Sequence, residues 1–201
     1  MSVKYDGDDR YLDPDTGILR NKLGLTTQQD LDRAESAFVA LATGELSFSP
    51  LTEPKAGPDF SYLRSIHGKL FGDVYDWAGK FRDVDISKGS TRFASFRFIE
   101  NEGNRLSLEM AQKKWLSNLP HEEFADQAAH FFGEMNSLHP FREGNGRSLR
   151  EYIRYIAERA GHKLTWEGLD REEMTRASII AHNSSHYALR DIIAKQMSCC
   201  R

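Results

Sequence analysis

One segment of this 201-residue sequence brings together residue types that suit phosphate chemistry. It runs from His139 to Arg150 and reads HPFREGNGRSLR. Gly144 and Gly146 bracket Asn145, so the backbone can turn sharply there and expose its N–H groups. A helix is expected directly after this turn, and the free N–H groups and dipole of a helix N-terminus favour an anion. The segment therefore predicts a site for a negatively charged group.

The charged residues of the segment indicate that the anion is a polyphosphate. Arg147 and Arg150 fall in the first turn of the expected helix, where cations oppose the helix dipole unless an anion is bound. Two guanidinium groups can bind phosphate oxygens bidentately. Glu143 fits a Mg²⁺ ion, which takes one or two carboxylates together with phosphate oxygens. His139 is suited to accept a proton near neutral pH, so the segment predicts nucleotidyl or phosphoryl transfer to a hydroxyl.

A simpler interpretation of the same residues is a helix-breaking loop with a solvated arginine pair and a surface histidine. The usual phosphate-binding folds are excluded, because neither GxxxxGK[ST] nor a GxGxxG that opens a βαβ unit occurs. A second candidate is weaker. His182 and His186 are four residues apart on a predicted helix, a spacing that can bind Zn²⁺, but no third ligand is evident. We favour structural roles for these two histidines.

The elements that must position the segment are mostly helical. Apolar periodicity predicts helices over 28–42, 60–74, 102–119, 124–138, 147–160, 170–181 and 185–197. In the first of these the apolar residues Leu31, Ala34, Phe38 and Leu41 follow helical spacing. Residues 44–58 contain three prolines and predict a loop, and residues 86–93 predict a short hairpin around Lys88 and Gly89. The pattern is that of a mostly α protein with one core.

Composition excludes several classes of protein. The formal net charge is −3, which disfavours generic binding to nucleic acid, and 39% hydrophobic residues suit a globular chain. The longest apolar run, residues 37–42, is far shorter than a membrane span, and the N-terminus does not resemble a signal peptide. The only cysteines, Cys199 and Cys200, are adjacent, a poor geometry for a disulfide. We expect a cytoplasmic protein with reduced thiols.

The segment matches the signature HxFx[D/E]GNGRxxR at every specified position, and it thereby resembles the Fic family. The order of helices with a short hairpin before the motif is also similar to that family over about residues 60–197. The resemblance implies a mostly α Fic fold, a helical bundle with a β-hairpin flap beside the active site. It further implies that residues 1–58 form an N-terminal arm and helix packed on the core, and residues 59–201 the Fic domain.

The resemblance to the Fic family implies an activity and a set of roles. Such proteins transfer AMP from ATP to a hydroxyl of a target protein. His139 would deprotonate that hydroxyl, Glu143 would hold Mg²⁺, and Phe141 would anchor the loop in the core. The phosphates would be bound by five further motif residues, Gly144, Asn145 and Gly146 at the α- and β-phosphates and Arg147 and Arg150 at the β- and γ-phosphates.

The hairpin has a role of its own in this resemblance. Its backbone would pair with an extended segment of the target protein and align the target hydroxyl with His139, a form of β-strand addition. Lys88 and Gly89 would lean over the nucleotide. Without the motif, an ordinary solvated hairpin is the simpler interpretation.

Two differences from other members of the Fic family make the predicted activity and its regulation more specific. The Doc branch, which phosphorylates its target, carries Lys where this chain has Gly146, so adenylylation is favoured. Many Fic proteins contain an inhibitory motif, [S/T]xxxE[G/N]. Here Glu precedes Gly or Asn at Glu100, Glu102, Glu143 and Glu167, and the residues four positions earlier are Phe96, Phe98, His139 and Lys163. This chain therefore resembles the class that a small separate antitoxin protein inhibits.

The segment from Tyr11 to Leu23 also resembles the start of stand-alone bacterial FicT toxins and related effectors. That resemblance implies a bacterial toxin whose targets are the ATPase subunits of DNA gyrase and topoisomerase IV. Two alternatives stay open: a catalytically silent nucleotide-binding adaptor, and a Fic enzyme that transfers another group such as UMP. No direct contact with nucleic acid or membrane is expected.

Overall fold

The computed structural model describes residues 10–89 and 91–198, and within these ranges the chain forms seven α-helices. They are α1 (Gln28–Phe48), α2 (Phe60–Phe71), α3 (Ile99–Gln112), α4 (His121–Leu138), α5 (Asn145–Arg159), α6 (Arg171–Asn183) and α7 (Tyr187–Gln196). The prediction of a mostly α fold is confirmed. The two cysteines and Ser90 of the predicted hairpin turn lie outside the described residues.

Helix α1 differs from its prediction in length and in the face that it buries. It begins after Thr27, whose side chain accepts a hydrogen bond from the Asp30 N–H, and it continues to Phe48, into the predicted loop. Its buried residues are Leu31, Glu35, Val39, Ala42 and Leu46. Of the four apolar residues read from the sequence, Leu31 is buried, Ala34 and Phe38 are half-buried, and Leu41 is 63% exposed. The buried stripe contains the carboxylate of Glu35, and for that reason the hydrophobic periodicity of the sequence pointed to a neighbouring face of the helix.

Helix α4 lies at the centre of the bundle and packs against α3, α5, α6 and α7. Its apolar residues recur at steps of three and four and are all buried: Phe124, Ala128, Phe131, Met135 and Leu138. Helix α2 packs against α1 and α5 and buries its apolar stripe as well. The two helices that flank the motif, α4 and α5, also pack on each other. The motif is therefore the short connection between two buried, tightly packed helices.

The predicted hairpin is present but small. Strands β1 (Ser87–Lys88) and β2 (Thr91–Arg92) are antiparallel, with Ser87 opposite Arg92. Beneath them Ile86 and Phe93 are buried together, in a cluster separate from the main core. The Ala94 N–H donates to the Ser137 carbonyl of α4 at 3.3 Å, which ties the base of the hairpin to the helix that leads into the motif.

Two features had no counterpart in the sequence prediction. A second strand pair joins β3 (Lys163–Leu164) to β4 (Met197–Ser198). Helix α3 ends at Gln112 instead of continuing to 119, because Lys114–Leu116 forms a 3₁₀ turn in which Trp115 has a φ of 54°. Two-residue strands and a single left-handed turn are too short to alter an apolar period. Among the described residues, no helix is long and apolar enough to cross a membrane.

Candidate active site

His139 ends helix α4 in a left-handed conformation, with a φ of 50°. Its backbone N–H donates to the Met135 carbonyl, and its Nδ1 lies 3.0 Å from the Asn136 carbonyl oxygen. Because a carbonyl only accepts, Nδ1 carries the ring proton and Nε2 keeps its lone pair. The ring of Phe93, at the base of the hairpin, stacks on the imidazole at a centroid distance of 3.7 Å. The turn thus fixes both the tautomer and the plane of the ring.

Burial also sets the charge of this histidine. His139 is 7% exposed, and desolvation lowers its pKa from 6.5 to about 3. The hydrogen bond to Asn136 and the charge of Glu143 raise the pKa, whereas the charges of Arg82 and Lys88 lower it further. The imidazole is therefore neutral at physiological pH, the state in which it can accept a proton.

Arg82 holds the turn that carries His139. Its side chain is buried, and its guanidinium donates to the carbonyl of His139 at 2.8 Å and to that of Leu138 at 3.2 Å. The same group donates to the carbonyls of Val84 at 2.6 Å and of Ala94, which flank the hairpin. One buried cation therefore links the end of α4 to both sides of the hairpin.

The loop between α4 and α5 is closed by its own side chains. The Phe141 N–H donates to Oδ1 of Asn145 at 2.8 Å, and Nδ2 of Asn145 donates to the Phe141 carbonyl at 2.7 Å. The amide of Asn145 is thus held inside the loop and is buried, so we expect its backbone N–H to be the group that meets an anion. Phe141 is fully buried and stacks on the ring of His67 at 3.9 Å.

His67 supports the loop from helix α2. Its Nδ1 accepts from the Gly79 N–H at 2.8 Å, so Nε2 carries the proton and donates to the Glu143 carbonyl at 3.0 Å. Burial lowers the pKa of His67 to about 4, which keeps the ring neutral. The backbone of Glu143 is therefore held by a side chain more than seventy residues earlier in the chain.

The two glycines of the motif meet different constraints. Gly144 caps α5 with a φ of 81°, and a Cβ there would lie 2.3 Å from the ring of Phe71. Glycine is therefore required by the fold at this position. A Cβ on Gly146 would meet only Nη1 of Arg150, at 3.6 Å, an ordinary contact. Packing does not require glycine at 146, which fits a position that a ligand approaches closely.

The two arginines of the motif differ in their partners. Nη2 of Arg147 lies 2.7 Å from Oε1 of Glu35 and 3.5 Å from Oε1 of Glu143, and its guanidinium stacks over the ring of Phe71. Arg150 receives no carboxylate or carbonyl at its guanidinium from the described part of the chain. Burial, with the nearby charge of Arg147, lowers the pKa of Arg150 to about 10. Its guanidinium is half-buried and prepared for an anion.

Lys88 and Gly89 lie at the tip of the hairpin and are exposed. The charge of Lys88 contributes to lowering the pKa of His139, so the tip is within electrostatic reach of the imidazole. Gly89 has a φ of 59°, and a Cβ there would meet nothing within 4 Å. The backbone turn alone accounts for this glycine.

The histidine pair predicted as a weak zinc candidate is separated by a break in the helix. His182 lies in the last turn of α6, whereas His186 is the N-cap of α7. Nδ1 of His182 contacts Oγ of Ser137, and Nε2 of His186 lies 3.4 Å from Asp126. No group of three metal-ligating side chains exists among residues 10–89 and 91–198. The prediction of one helix through both histidines was wrong.

Comparison with known proteins agrees with the geometry of the motif. The Fic/DOC family matches residues 58–157. The probable protein adenylyltransferase Fic of Escherichia coli is 36% identical over 98% of this chain and 97% of its own length. The chain belongs to the Fic/DOC family. The protein adenylyltransferase VbhT of Bartonella schoenbuchensis is 43% identical over 95% of this chain, which spans only 39% of the VbhT length.

A solved Fic structure has the same fold. The BepC protein of Bartonella tribocorum, an effector crystallised with bound AMPPNP, superposes with a TM-score of 0.85 at 28% identity. The alignment covers 95% of this chain and 97% of BepC. The predicted Fic fold is confirmed, and so is the prediction of a nucleotidyltransferase of the protein adenylyltransferase class.

Three residues that contact the motif were missed by sequence reasoning: Glu35, His67 and Arg82. Each is buried and polar. Glu35 could have been found from the sequence, because it lies four residues from both Leu31 and Val39 on the buried stripe of α1. His67 and Arg82 do not change the pattern of apolar residues around them in a way that marks them as buried. Only the three-dimensional contacts reveal their connection to the motif.

Proposed function

We propose that this chain transfers AMP from ATP to a hydroxyl side chain of a target protein. The observation that carries the proposal is a neutral imidazole, His139, protonated at Nδ1, beside a helix N-terminus whose Arg150 has no anionic partner in the described residues. A base and an anion site separated by one short loop suit nucleotidyl transfer. The names of the relatives, protein adenylyltransferases, support the choice of the transferred group.

His139 acts as the general base. The target hydroxyl oxygen attacks the α-phosphorus of ATP, and its proton passes to Nε2. A bond forms between that oxygen and phosphorus, the bond to the bridging oxygen breaks, and pyrophosphate leaves. Burial lowers the pKa of His139 in the free protein. Bound polyphosphate brings negative charge close to the ring and therefore raises this pKa toward the range useful for catalysis.

The first turn of α5 binds the phosphates. Asn145 and Gly146 present backbone N–H groups at the positive end of the helix dipole, and the Gly144 N–H, which donates to the Glu143 carboxylate in this structure, would join them when that carboxylate turns to a metal ion. Arg150 supplies a guanidinium that has no acceptor among the described residues, and Arg147 supplies the edge of its guanidinium that does not face Glu35 and Glu143. The space above Gly146 supports close approach of a nucleotide phosphate, whereas the Lys of the Doc branch would fill it.

Glu143 fits the role of magnesium ligand. Its carboxylate is buried at the N-terminus of α5, where one oxygen accepts from the Gly144 N–H. Mg²⁺ takes one or two carboxylates and completes its shell with phosphate and water. The lack of a three-ligand cluster in the described ranges suits an ion held jointly with the nucleotide. When bound, Mg²⁺ neutralises charge on the phosphates.

The hairpin docks the target protein. Its two-residue strands lie directly over the catalytic turn, because Phe93 stacks on His139. An extended target segment that adds to the hairpin by backbone hydrogen bonds would therefore carry its hydroxyl past the imidazole. Lys88 and Gly89, at the tip, then lie on the nucleotide side of that segment.

We further propose that the enzyme is a bacterial toxin inhibited by a small antitoxin protein. The sequence contains no [S/T]xxxE[G/N] motif, and no glutamate of the described residues pairs with Arg150. A partner that supplies such a carboxylate would block the site of the γ-phosphate. The resemblance of residues 11–23 to FicT toxins favours the ATPase subunits of gyrase and topoisomerase IV as targets.

The decisive experiment is intact mass spectrometry of the gyrase B subunit after incubation with the full chain, ATP and Mg²⁺. We expect a gain of one AMP. His139→Ala should slow the gain by about 10²–10⁴-fold, the usual contribution of a general base, and leave AMPPNP affinity unchanged. His130→Ala is a matched control on the same helix, since His130 is half-buried away from the motif, and it should retain full activity.

Three outcomes would contradict parts of the proposal. Normal activity of His139→Ala would exclude His139 as the base. A gain of UMP from UTP in preference to AMP would exclude adenylyl transfer. AMPPNP binding without any gain on gyrase B or the topoisomerase IV subunit would exclude these targets.

A further inference from the structure

Glu35 is a charged residue in an apolar position. It lies on the buried stripe of α1 between Leu31 and Val39 and is 7% exposed. Helix α1 precedes residues 58–157, which match the family. Removing a carboxylate from water is unfavourable unless it is paired and hydrogen-bonded. The position of Glu35 therefore requires specific partners.

Both carboxylate oxygens of Glu35 have a partner. Oε1 lies 2.7 Å from Nη2 of Arg147, and Oε2 accepts a 2.5 Å hydrogen bond from the Tyr75 hydroxyl. Burial and the charge of Glu35 raise the pKa of Tyr75, so the phenol remains a donor. Tyr75 is itself 2% exposed. Helix α1 thus directs one fully satisfied carboxylate at a motif arginine.

These contacts leave one edge of Arg147 for a ligand. Its Nη2 faces Glu35 and Glu143, and its Cζ lies over the ring of Phe71, 4.7 Å from the ring centroid. Nε and Nη1 donate to no acceptor among the described residues. About a quarter of the side chain, 26%, is exposed. The guanidinium is therefore held on one edge and one face, and its other edge is open.

We propose that Glu35 is a positioning residue that aims Arg147 at the phosphates. This rests on the proposed function, in which Arg147 binds them. A long, flexible side chain loses less freedom on contacting the transition state when its orientation is already fixed. The same carboxylate places a negative charge near the polyphosphate and so weakens ground-state binding. Glu35 should therefore increase the transfer rate and decrease nucleotide affinity.

These opposite effects provide the test. In Glu35→Gln the full chain should bind AMPPNP several-fold more tightly, because one negative charge is lost near the site. Transfer at saturating ATP should fall on the order of tenfold, because Arg147 is no longer aimed. Glu35→Asp, which keeps the charge but is one methylene shorter, should lose rate without gaining affinity.

Glu45→Gln is the matched control. Glu45 is on the same helix, about 15 Å further along the axis, and pairs with Lys69 at the surface. The substitution removes the same charge and should change neither the affinity nor the rate. Thermal unfolding of each variant establishes that it is folded. If Glu35→Gln does not fold, Glu35→Asp carries the test through its loss of rate at unchanged affinity.

Several results would overturn the inference. A faster Glu35→Gln enzyme would mean that Glu35 competes with phosphate for Arg147. Unchanged affinity and rate in both Glu35 variants would mean a purely structural role. If the wild type modifies no target, the proposed function fails separately. In that case the inference is tested by AMPPNP affinity and by the NMR signal of the Arg147 Nε–H. If Glu35 orients the guanidinium, this signal shifts in Glu35→Gln. An unchanged chemical shift would contradict the inference.

Discussion

The catalytic turn, residues 139–146, and the hairpin at residues 86–93 face each other but are held in different ways. Every residue of the turn from His139 to Asn145 is buried, and its backbone is bound by Arg82, His67 and Asn145. The hairpin has two paired residues in each strand and a small hydrophobic cluster of its own. The turn is fixed by the core, whereas the hairpin is exposed at Lys88 and Gly89 and is tied at its base to helix α4 through Ala94.

This difference matches two tasks. Chemistry on a phosphate requires groups in a fixed geometry, which the buried turn provides. In the proposed function, docking of an extended target segment requires an accessible backbone edge and few specific side-chain contacts, which the hairpin would provide. Arg82 is the connection between the two, because its guanidinium contacts the carbonyls of both regions. Substitutions can therefore disturb one region, the other or their connection.

Breaking the connection should have the largest effect. Arg82→Lys keeps the charge but cannot reach four carbonyl groups, so the turn and the hairpin lose their common donor. We expect transfer to fall about 10- to 100-fold, with a clear loss of thermal stability from unpaired buried carbonyls. Steady-state rates and thermal unfolding measure the two effects. Arg97→Lys, at an exposed position, is the control, and equal behaviour of both variants would refute the role of Arg82.

Removing the Arg150 guanidinium, in the second turn of α5, should weaken nucleotide binding without harming the fold. Arg150→Ala deletes a half-buried guanidinium that has no acceptor in the described residues. Loss of charge-assisted contacts to phosphate should weaken AMPPNP affinity about tenfold or more. Titration calorimetry measures the affinity, and thermal unfolding should show an unchanged or higher midpoint. A large loss of stability would show that Arg150 has a structural role.

Acid should affect the turn before the hairpin, because the turn depends on buried neutral histidines. The pKa of His67 is about 4 when folded and near 6.5 when unfolded, so the unfolded chain binds the proton first. Stability is complete above pH 6.5 and decreases as pH falls toward 4. His67→Gln can make the same two hydrogen bonds without titrating, so its melting temperature should decrease less between pH 7 and 4.5. An identical slope in wild type and variant would contradict this.

The smallest effect is expected at the tip of the hairpin. Lys88→Ala leaves the catalytic turn intact and removes one exposed charge that acts on the imidazole and, in the proposed function, on the nucleotide. We expect only a few-fold rise in KM for ATP at an unchanged fold, the scale of a solvent-exposed charge. Initial rates at varied ATP test this. A loss as large as that of Arg82→Lys would mean that the hairpin takes part in the chemistry.

Sequence patterns found the turn but not its supports. Residues 139–150 are contiguous, so their types and spacing could be read directly. Arg82 and His67 act through backbone carbonyls distant in the chain, which no local pattern encodes. Glu35 also affected the prediction of which face of α1 is buried. A carboxylate on the buried stripe lowers the apparent hydrophobicity of that stripe, so a neighbouring face was selected. The apolar helices α2 and α4, which contain no such residue, were predicted correctly.

Gly144, Phe71 and Arg147 form a stack of three layers. The ring of Phe71 fills the space that a side chain at position 144 would need, and the guanidinium of Arg147 lies over that ring. A methyl group at position 144 would displace the ring, and the ring would displace the guanidinium. The orientation of a charged group is thus controlled by volume alone, two layers away. A smaller residue at position 71 would leave room for a larger one at position 144. The orientation of the Arg147 guanidinium can therefore be changed by side-chain volume while every charge in the site stays the same.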